Sequence, residues 1–212
     1  MQEVCIVVVA NNCEWLPATA QRYCAGLPPA FIQAAAGYVH WQDKQASLLG
    51  KIALQQGLIR LGLSPALMHN IRTDTYQRPY IPDGPDFNIS HCKGLVVCAL
   101  SRSGRVGIDV EALLPLEELD HKLVFTPAEC RLIAAEASPE ALFYHFWTRK
   151  EAVIKADGRG FSLSPATFEA VRDEVWVDNQ CWFVQKIDVP PGFCCHLATE
   201  TALFSSPSRV YL

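Results

Sequence analysis

Nowhere in this chain of 212 residues is there an apolar run long enough to cross a membrane. The longest, Val4–Ala10, falls well short of the roughly 20 residues a spanning helix needs, and neither a basic n-region nor a small-residue cleavage site flanks it. It reads as a first β-strand, and the chain as a cytoplasmic protein with no membrane partner. Paired cysteines are lacking too: the nine present are an odd number with no C-x-x-C spacing, so they read as buried thiols, not as a disulfide framework. Surplus positive charge is the third absence. Lys and Arg number 18 against 22 Asp and Glu, a net charge of -4, where a general nucleic-acid binder would show a basic balance or stripe. No nucleic-acid partner is expected, and any phosphate site must be local. What is present is an ordinary globular composition, 50% hydrophobic and 19% charged, enough for one large domain or two small packed ones with a core.

Helix and strand signals then alternate along the chain. Residues 19–25 ahead of Gly26, 29–36 opened by Pro28 and Pro29, and 41–61 with Leu48, Leu49, Ile52 and Ile59 at helical spacing are predicted helices. Residues 71–75 form a short β-branched strand, and the prolines between Gln77 and Pro85 exclude regular structure there. Three segments follow with tight turns between them, 87–91, 95–100 and 106–111, which predicts an antiparallel meander. Thr126-Pro127-Ala128-Glu129 is a helix start, with a Thr cap, Pro at the first position and Glu three residues after the cap. Ser138 and Pro139 open a longer helix that reaches Ala156 and is closed by Gly158-Arg159-Gly160, and the remainder reads as four or so strands. Each half runs strand, helices, strands, which hints at two related halves meeting near residues 101–105.

The segment 106–111, Val-Gly-Ile-Asp-Val-Glu, carries the most chemistry. Apolar residues alternate with Gly107, Asp109 and Glu111, so the two carboxylates share one face of a strand. Side by side they repel, and away from water they are tolerated around a cation. Taken alone, such a pair is more often a strand running out into solvent. On the helix ending at Ala156, Phe143, Trp147, Glu151 and Lys155 recur at spacings of four; the plain reading of the last two is a surface pair worth roughly 0.2–0.5 kcal/mol. Ser90 and His91, adjacent on a strand, point apart, and no G-x-S-x-G elbow surrounds the serine, so a hydrolase triad is not expected. Taken together, Asp109, Glu111 and Glu151 offer oxygen ligands to Mg2+, and Lys155 offers a cation to a phosphate oxygen. That combination suits a pyrophosphate.

Four segments, in this order and spacing, resemble the 4'-phosphopantetheinyl transferases of the long, surfactin-synthetase-activator type. They are Arg78-Pro79-Tyr80-Ile81-Pro82, Phe87-Asn88-Ile89-Ser90-His91, the segment 106–111, and Phe146-Trp147-Thr148-Arg149-Lys150-Glu151-Ala152-Val153-Ile154-Lys155 with Gly158-Arg159-Gly160. Ser47-Leu48-Leu49-Gly50 is a weaker echo, and the resemblance runs from about Pro28 to Pro165. It implies an α+β fold, a pseudo-twofold pair of similar halves, each a short antiparallel sheet packed with helices, in a monomeric enzyme. Residues 1–104 would form the half on the adenine and 3'-phosphate side of coenzyme A, and 105–212 the half with the metal site and catalytic helix. By the same resemblance Asp109, Glu111 and Glu151 are Mg2+ ligands, Lys155 contacts the pyrophosphate, Ser90 and His91 hold phosphates with His91 on the 3'-phosphate, and Arg78 lies beside the adenine. Catalysis would rest on Glu151, Lys155 and Asp109. The implied reaction moves phosphopantetheine to a serine of an acyl or peptidyl carrier protein and releases adenosine 3',5'-bisphosphate. Carriers of this class present an acidic helix, for which Phe125, Arg149 and Lys150 are the expected docking residues.

Two departures stand out. Relatives carry several basic residues in the segment aligned with 29–38, where this chain has no Lys or Arg, and an Arg where it has Ala46. The 3'-phosphate would then fall to His91, Lys44 and Arg78. Two other readings compete: a Mg2+-dependent nucleotide pyrophosphate hydrolase, which needs the three carboxylates but no carrier surface, and a non-catalytic coenzyme A binding module, which loss of an acid would favour.

Overall fold

The computed structural model describes residues 4–116, 124–203 and 205–212. Two four-stranded sheets organise them, and each is backed by one long helix. The first sheet runs in the order β10-β1-β5-β4, from β1 (Val4–Ala10), β4 (Asp86–Cys92), β5 (Leu95–Ser101) and β10 (Ser208–Tyr211). The second runs β6-β9-β8-β7, from β6 (Val106–Ala112), β7 (Glu174–Val177), β8 (Gln180–Lys186) and β9 (Phe193–Thr199). Helix α3 (Trp41–Arg60) covers the first sheet and α5 (Pro139–Asp157) the second. The smaller helices are α1 (Pro17–Cys24), α2 (Pro29–Ala35) and α4 (Pro127–Ala135). This is the α+β class expected, and among the described residues no helix is long and apolar enough to cross a membrane.

The unbroken apolar runs of β1 and β5 follow from this layering, because both strands are covered on both faces. Cys5, Val7, Val9, Val96, Cys98 and Leu100 pack with Leu49, Ala53 and Leu54 of α3, while Val4, Ile6, Val8, Leu95, Val97 and Ala99 pack with Val106, Ile108, Val110 and Leu197 of the second sheet. Helix α4 begins with the predicted capping box. Thr126 Oγ1 accepts from the Glu129 amide, and Glu129 Oε2 accepts from the Thr126 amide at 2.8 Å.

Three expectations from the sequence are corrected. The meander stops after two strands: β5 pairs with β4 and β1, whereas β6 leaves for the other sheet and pairs with β9, because the 101–105 turn carries the chain across to a new partner. The proline loop is not wholly irregular, since Pro79–Tyr80 forms a two-residue strand (β3) against Arg72–Thr73 (β2), placing proline at the edge position where its missing N–H does no harm. Finally, the last strand of the chain returns to the first sheet and pairs parallel to β1, from Cys5↔Ser208 to Val8↔Tyr211. The two sheets therefore do not divide the chain at one point.

The halves also meet along an edge, where β4 runs beside β6 without a backbone ladder. Side chains take its place: Asp86 Oδ2 accepts from the Val106 amide at 2.8 Å, Asn88 Oδ1 from the Ile108 amide at 2.9 Å, and Ser90 Oγ from the Val110 amide at 3.4 Å. Every second residue of β4 thus satisfies every second amide of an otherwise open edge.

Candidate active site

The site grows out of that seam. Asp109 lies on the face of β6 that α5 covers, and Gly107, two residues earlier, is what allows α5 so close. A Cβ there would run into the Ala152 carbonyl and the Ala156 amide. Close approach of helix and strand brings Lys155 onto Asp109, with Nζ 2.5 Å from Oδ1 and 2.9 Å from Ser90 Oγ. Ser90 in turn donates to Asp109 Oδ1 at 2.9 Å. Glu111, next along the same face, accepts from Trp147 Nε1 at 3.3 Å. Burial and the Asp109 charge raise the Glu111 pKa, and burial, offset in part by the Lys155 charge and joined by a smaller push from Asp109, does the same for Glu151. The three carboxylates therefore feel one another across two elements.

Whether they suit a divalent cation can be tested on the side chains themselves. Asp109 is 3% exposed and its Oδ2 has no hydrogen-bond partner, an orphaned acceptor beside two acids whose ionisation is resisted. Oxygen donors of this kind are what Mg2+ takes. Among the described residues no three such side chains stand gathered as a finished cage; Lys155 and Trp147 hold Asp109 and Glu111 instead. The donor set fits the ion, with the Lys155 ammonium providing the counter-charge in its place.

Beside this cluster opens a cavity of about 370 Å3 between the halves. Glu151, Lys155, Trp147 and Asn88 form its polar end, Ile154, Leu163 and Pro165 its apolar wall, and the loop from Tyr76 to Pro79 its rim. Arg78 belongs to that rim by its stem only: its guanidinium forks onto Asp86 at 2.7 and 2.6 Å. His91 is not in this cavity. It lines a second hollow, of about 460 Å3, with Asn11, His40, Gln42, Asp43, Ala46, Cys92 and Lys93. Ser90 and His91 thus point apart, as strand neighbours must, one into the carboxylate cluster and the other into the hollow. Desolvation by its walls, then the Lys155 charge, lowers the His91 pKa.

The expected docking residues take other roles. Lys150 is fully buried on Glu129 at 2.9 Å and donates to the Pro165 and Phe168 carbonyls, Arg149 is 3% exposed and bonds the Ala170 and Arg172 carbonyls, and Phe125 is 2% exposed. A buried cation needs a partner and gets one here, so none of the three faces a carrier. Sequence reasoning also missed Asp86, Trp147 as the donor to Glu111, and His40 and Lys93. Only the first had a visible signal, the polar face that Asp86 shares with Asn88 and Ser90.

Comparison with known proteins bears on which family the chain resembles. The profile of the 4'-phosphopantetheinyl transferase superfamily matches residues 105–196, from the turn before β6 to His196, the cross-strand neighbour of Asp109. The 4'-phosphopantetheinyl transferase Sfp of Bacillus subtilis is 29% identical over 184 residues, 82% of each chain. Over these residues the chain is similar to the 4'-phosphopantetheinyl transferase superfamily. Further relatives are a 4'-phosphopantetheinyl transferase of Bacillus subtilis, 35% identical over 62% of this chain and 60% of its own, and gsp of Aneurinibacillus migulanus, 33% identical over 69% and 60%. Like these relatives, the protein is a transferase.

Proposed function

We propose that this transferase moves the 4'-phosphopantetheine group of coenzyme A to a serine hydroxyl of an apo acyl or peptidyl carrier protein in the cytoplasm, acting as a monomer. The observation that carries the reading is the 370 Å3 cavity between the halves, with Glu151 and Lys155 in its wall and Asp109 under Lys155. In this reading Asp109, Glu111 and Glu151 hold Mg2+. When bound, the ion supplies a positive charge that offsets charge developing on the phosphates. Lys155, anchored on Asp109 and Ser90, presents its remaining N–H toward the cavity and stabilises the adenosine 3',5'-bisphosphate that leaves. Glu151, in the cavity wall, takes the proton from the attacking serine. Ser90 contributes by fixing Lys155 and Asp109, and the nucleotide lies along the rim at Tyr76, Gln77 and Pro79. The hollow at His91 receives the 3'-phosphate, where His40 and Lys93 supplement a thin basic lining.

The test is incubation with coenzyme A, Mg2+ and a panel of apo carrier proteins, read by mass spectrometry. Addition of phosphopantetheine to a carrier serine is expected. Cleavage of coenzyme A without any carrier adduct would favour the pyrophosphate hydrolase instead.

A further inference from the structure

The Arg78 side chain is 7% exposed, and its donors go to three separate elements. Nη1 and Nη2 fork onto Asp86 of β4, Nη2 also donates to the Val106 carbonyl of β6 at 3.0 Å, and Nε donates to the Lys155 carbonyl of α5 at 3.1 Å. The Asp86 carboxylate simultaneously accepts from the Val106 amide, so both backbone groups of Val106 are held by one ion pair. The Lys155 carbonyl lies in the last turn of α5, among those left without a partner inside the helix, and a cation there also complements the helix dipole. Gly158 ends the helix at φ 86°, and a Cβ on it would press 2.7 Å from Arg78 Cδ. The chain is built to let the arginine stem pass under the helix end.

We infer that Arg78 is a positioning residue. With Asp86 it locks the end of α5 to the start of β6 across the seam, and so sets where the Lys155 ammonium meets Asp109. It does not read the nucleotide. The backbone at Lys155 fixes the root of a side chain whose tip makes the 2.5 Å contact, and that contact spans the same two elements that Arg78 ties. Lysine in its place would keep the charge opposite Asp86 but has no planar fork to reach two carbonyls as well. The activity part of the inference rests on the transfer reading above; its structural part does not.

The experiment compares wild type with Arg78→Lys in three measurements. Amide exchange should speed up roughly tenfold at Val106 and in the last turn of α5, with the rest of the sheets little changed. Coenzyme A affinity in EDTA should stay within about threefold, whereas kcat for carrier modification should fall roughly tenfold, the pattern of a misplaced group and not of lost binding. In a Lys155→Met background the same substitution should lower kcat by less than about threefold, because its effect travels through Lys155. Weakened coenzyme affinity with unchanged exchange at Val106 would overturn the inference, as would an undiminished kcat loss in the Lys155→Met background. If Arg78→Lys does not fold, Asp86→Asn loosens the same clamp and is judged by the same exchange and affinity results. If the wild-type protein modifies no carrier, the transfer reading fails, and exchange and affinity still decide the role of Arg78.

Discussion

At the scale of single residues the site is a balance of charges held where water is scarce. Asp109 has one oxygen committed to Lys155 and Ser90 and the other to nothing, so its removal empties the centre of the cluster. Asp109→Ala is expected to lower carrier modification by at least roughly 100-fold while the protein stays folded. Glu111→Ala should be milder, because a water can replace one ligand of Mg2+. Rates at saturating coenzyme A with circular dichroism on the same samples check both. Glu151 supports a prediction of the opposite sign for stability. Its folded-state pKa lies above the unfolded value, so its ionisation opposes folding: the stability it allows is complete below the unfolded pKa and is lost as pH rises through the folded one. Glu151→Gln should therefore raise Tm in EDTA at pH 7 while abolishing transfer, and the gain should vanish below about pH 4. A variant equally destabilised at both pH values would contradict the charge balance drawn for this site.

Elements are joined here by means that differ from one contact to the next. β6 pairs conventionally with β9 on one side, but on the other its amides are met by the side chains of Asp86, Asn88 and Ser90. Such a seam is more vulnerable than a ladder, because one substitution removes an acceptor that no backbone shift restores. Asn88→Ala leaves the Ile108 amide without its acceptor and should cost about 1–3 kcal/mol in urea unfolding. Helix α5 is fixed differently. Gly107 lets it approach, Lys150 ties it to Glu129 of α4, and Arg149 ties it to the 170–173 segment. The two cations just ahead of Glu151 in sequence thereby set the rotation of the helix that presents Glu151.

Across the whole molecule the return of β10 to β1 staples the two halves. β1 is apolar on both faces, and with β10 in place it is an interior strand of its sheet. Deleting residues 205–212 would turn it into a long, flat, apolar edge, which is a template for pairing with other chains. The truncated chain is expected to show larger species than the full chain in size-exclusion chromatography, and a lower midpoint in urea. A truncated chain eluting as sharply as the full one would show that the edge is protected some other way.

What the sequence determined by itself was local. The alternation in β4 and β6, the apolar runs of β1 and β5, the capping box at Thr126 and Glu129, and the shared faces of Asp109 with Glu111 and of Glu151 with Lys155 all follow from residues a few positions apart, where backbone geometry leaves little choice. Its motifs also pointed to the superfamily. Only the tertiary structure decided that β6 abandons β5 for β9, that β10 comes home to β1, and that Arg149 and Lys150 turn inward. Strand partners are chosen by competition among long-range pairings of similar apolar character, and Lys150 can be buried because Glu129 and the Pro165 and Phe168 carbonyls, distant in sequence, receive it. The same holds for Arg78, whose letter suits a phosphate as well as a carboxylate, and whose three protein partners lie as far as Lys155 along the chain.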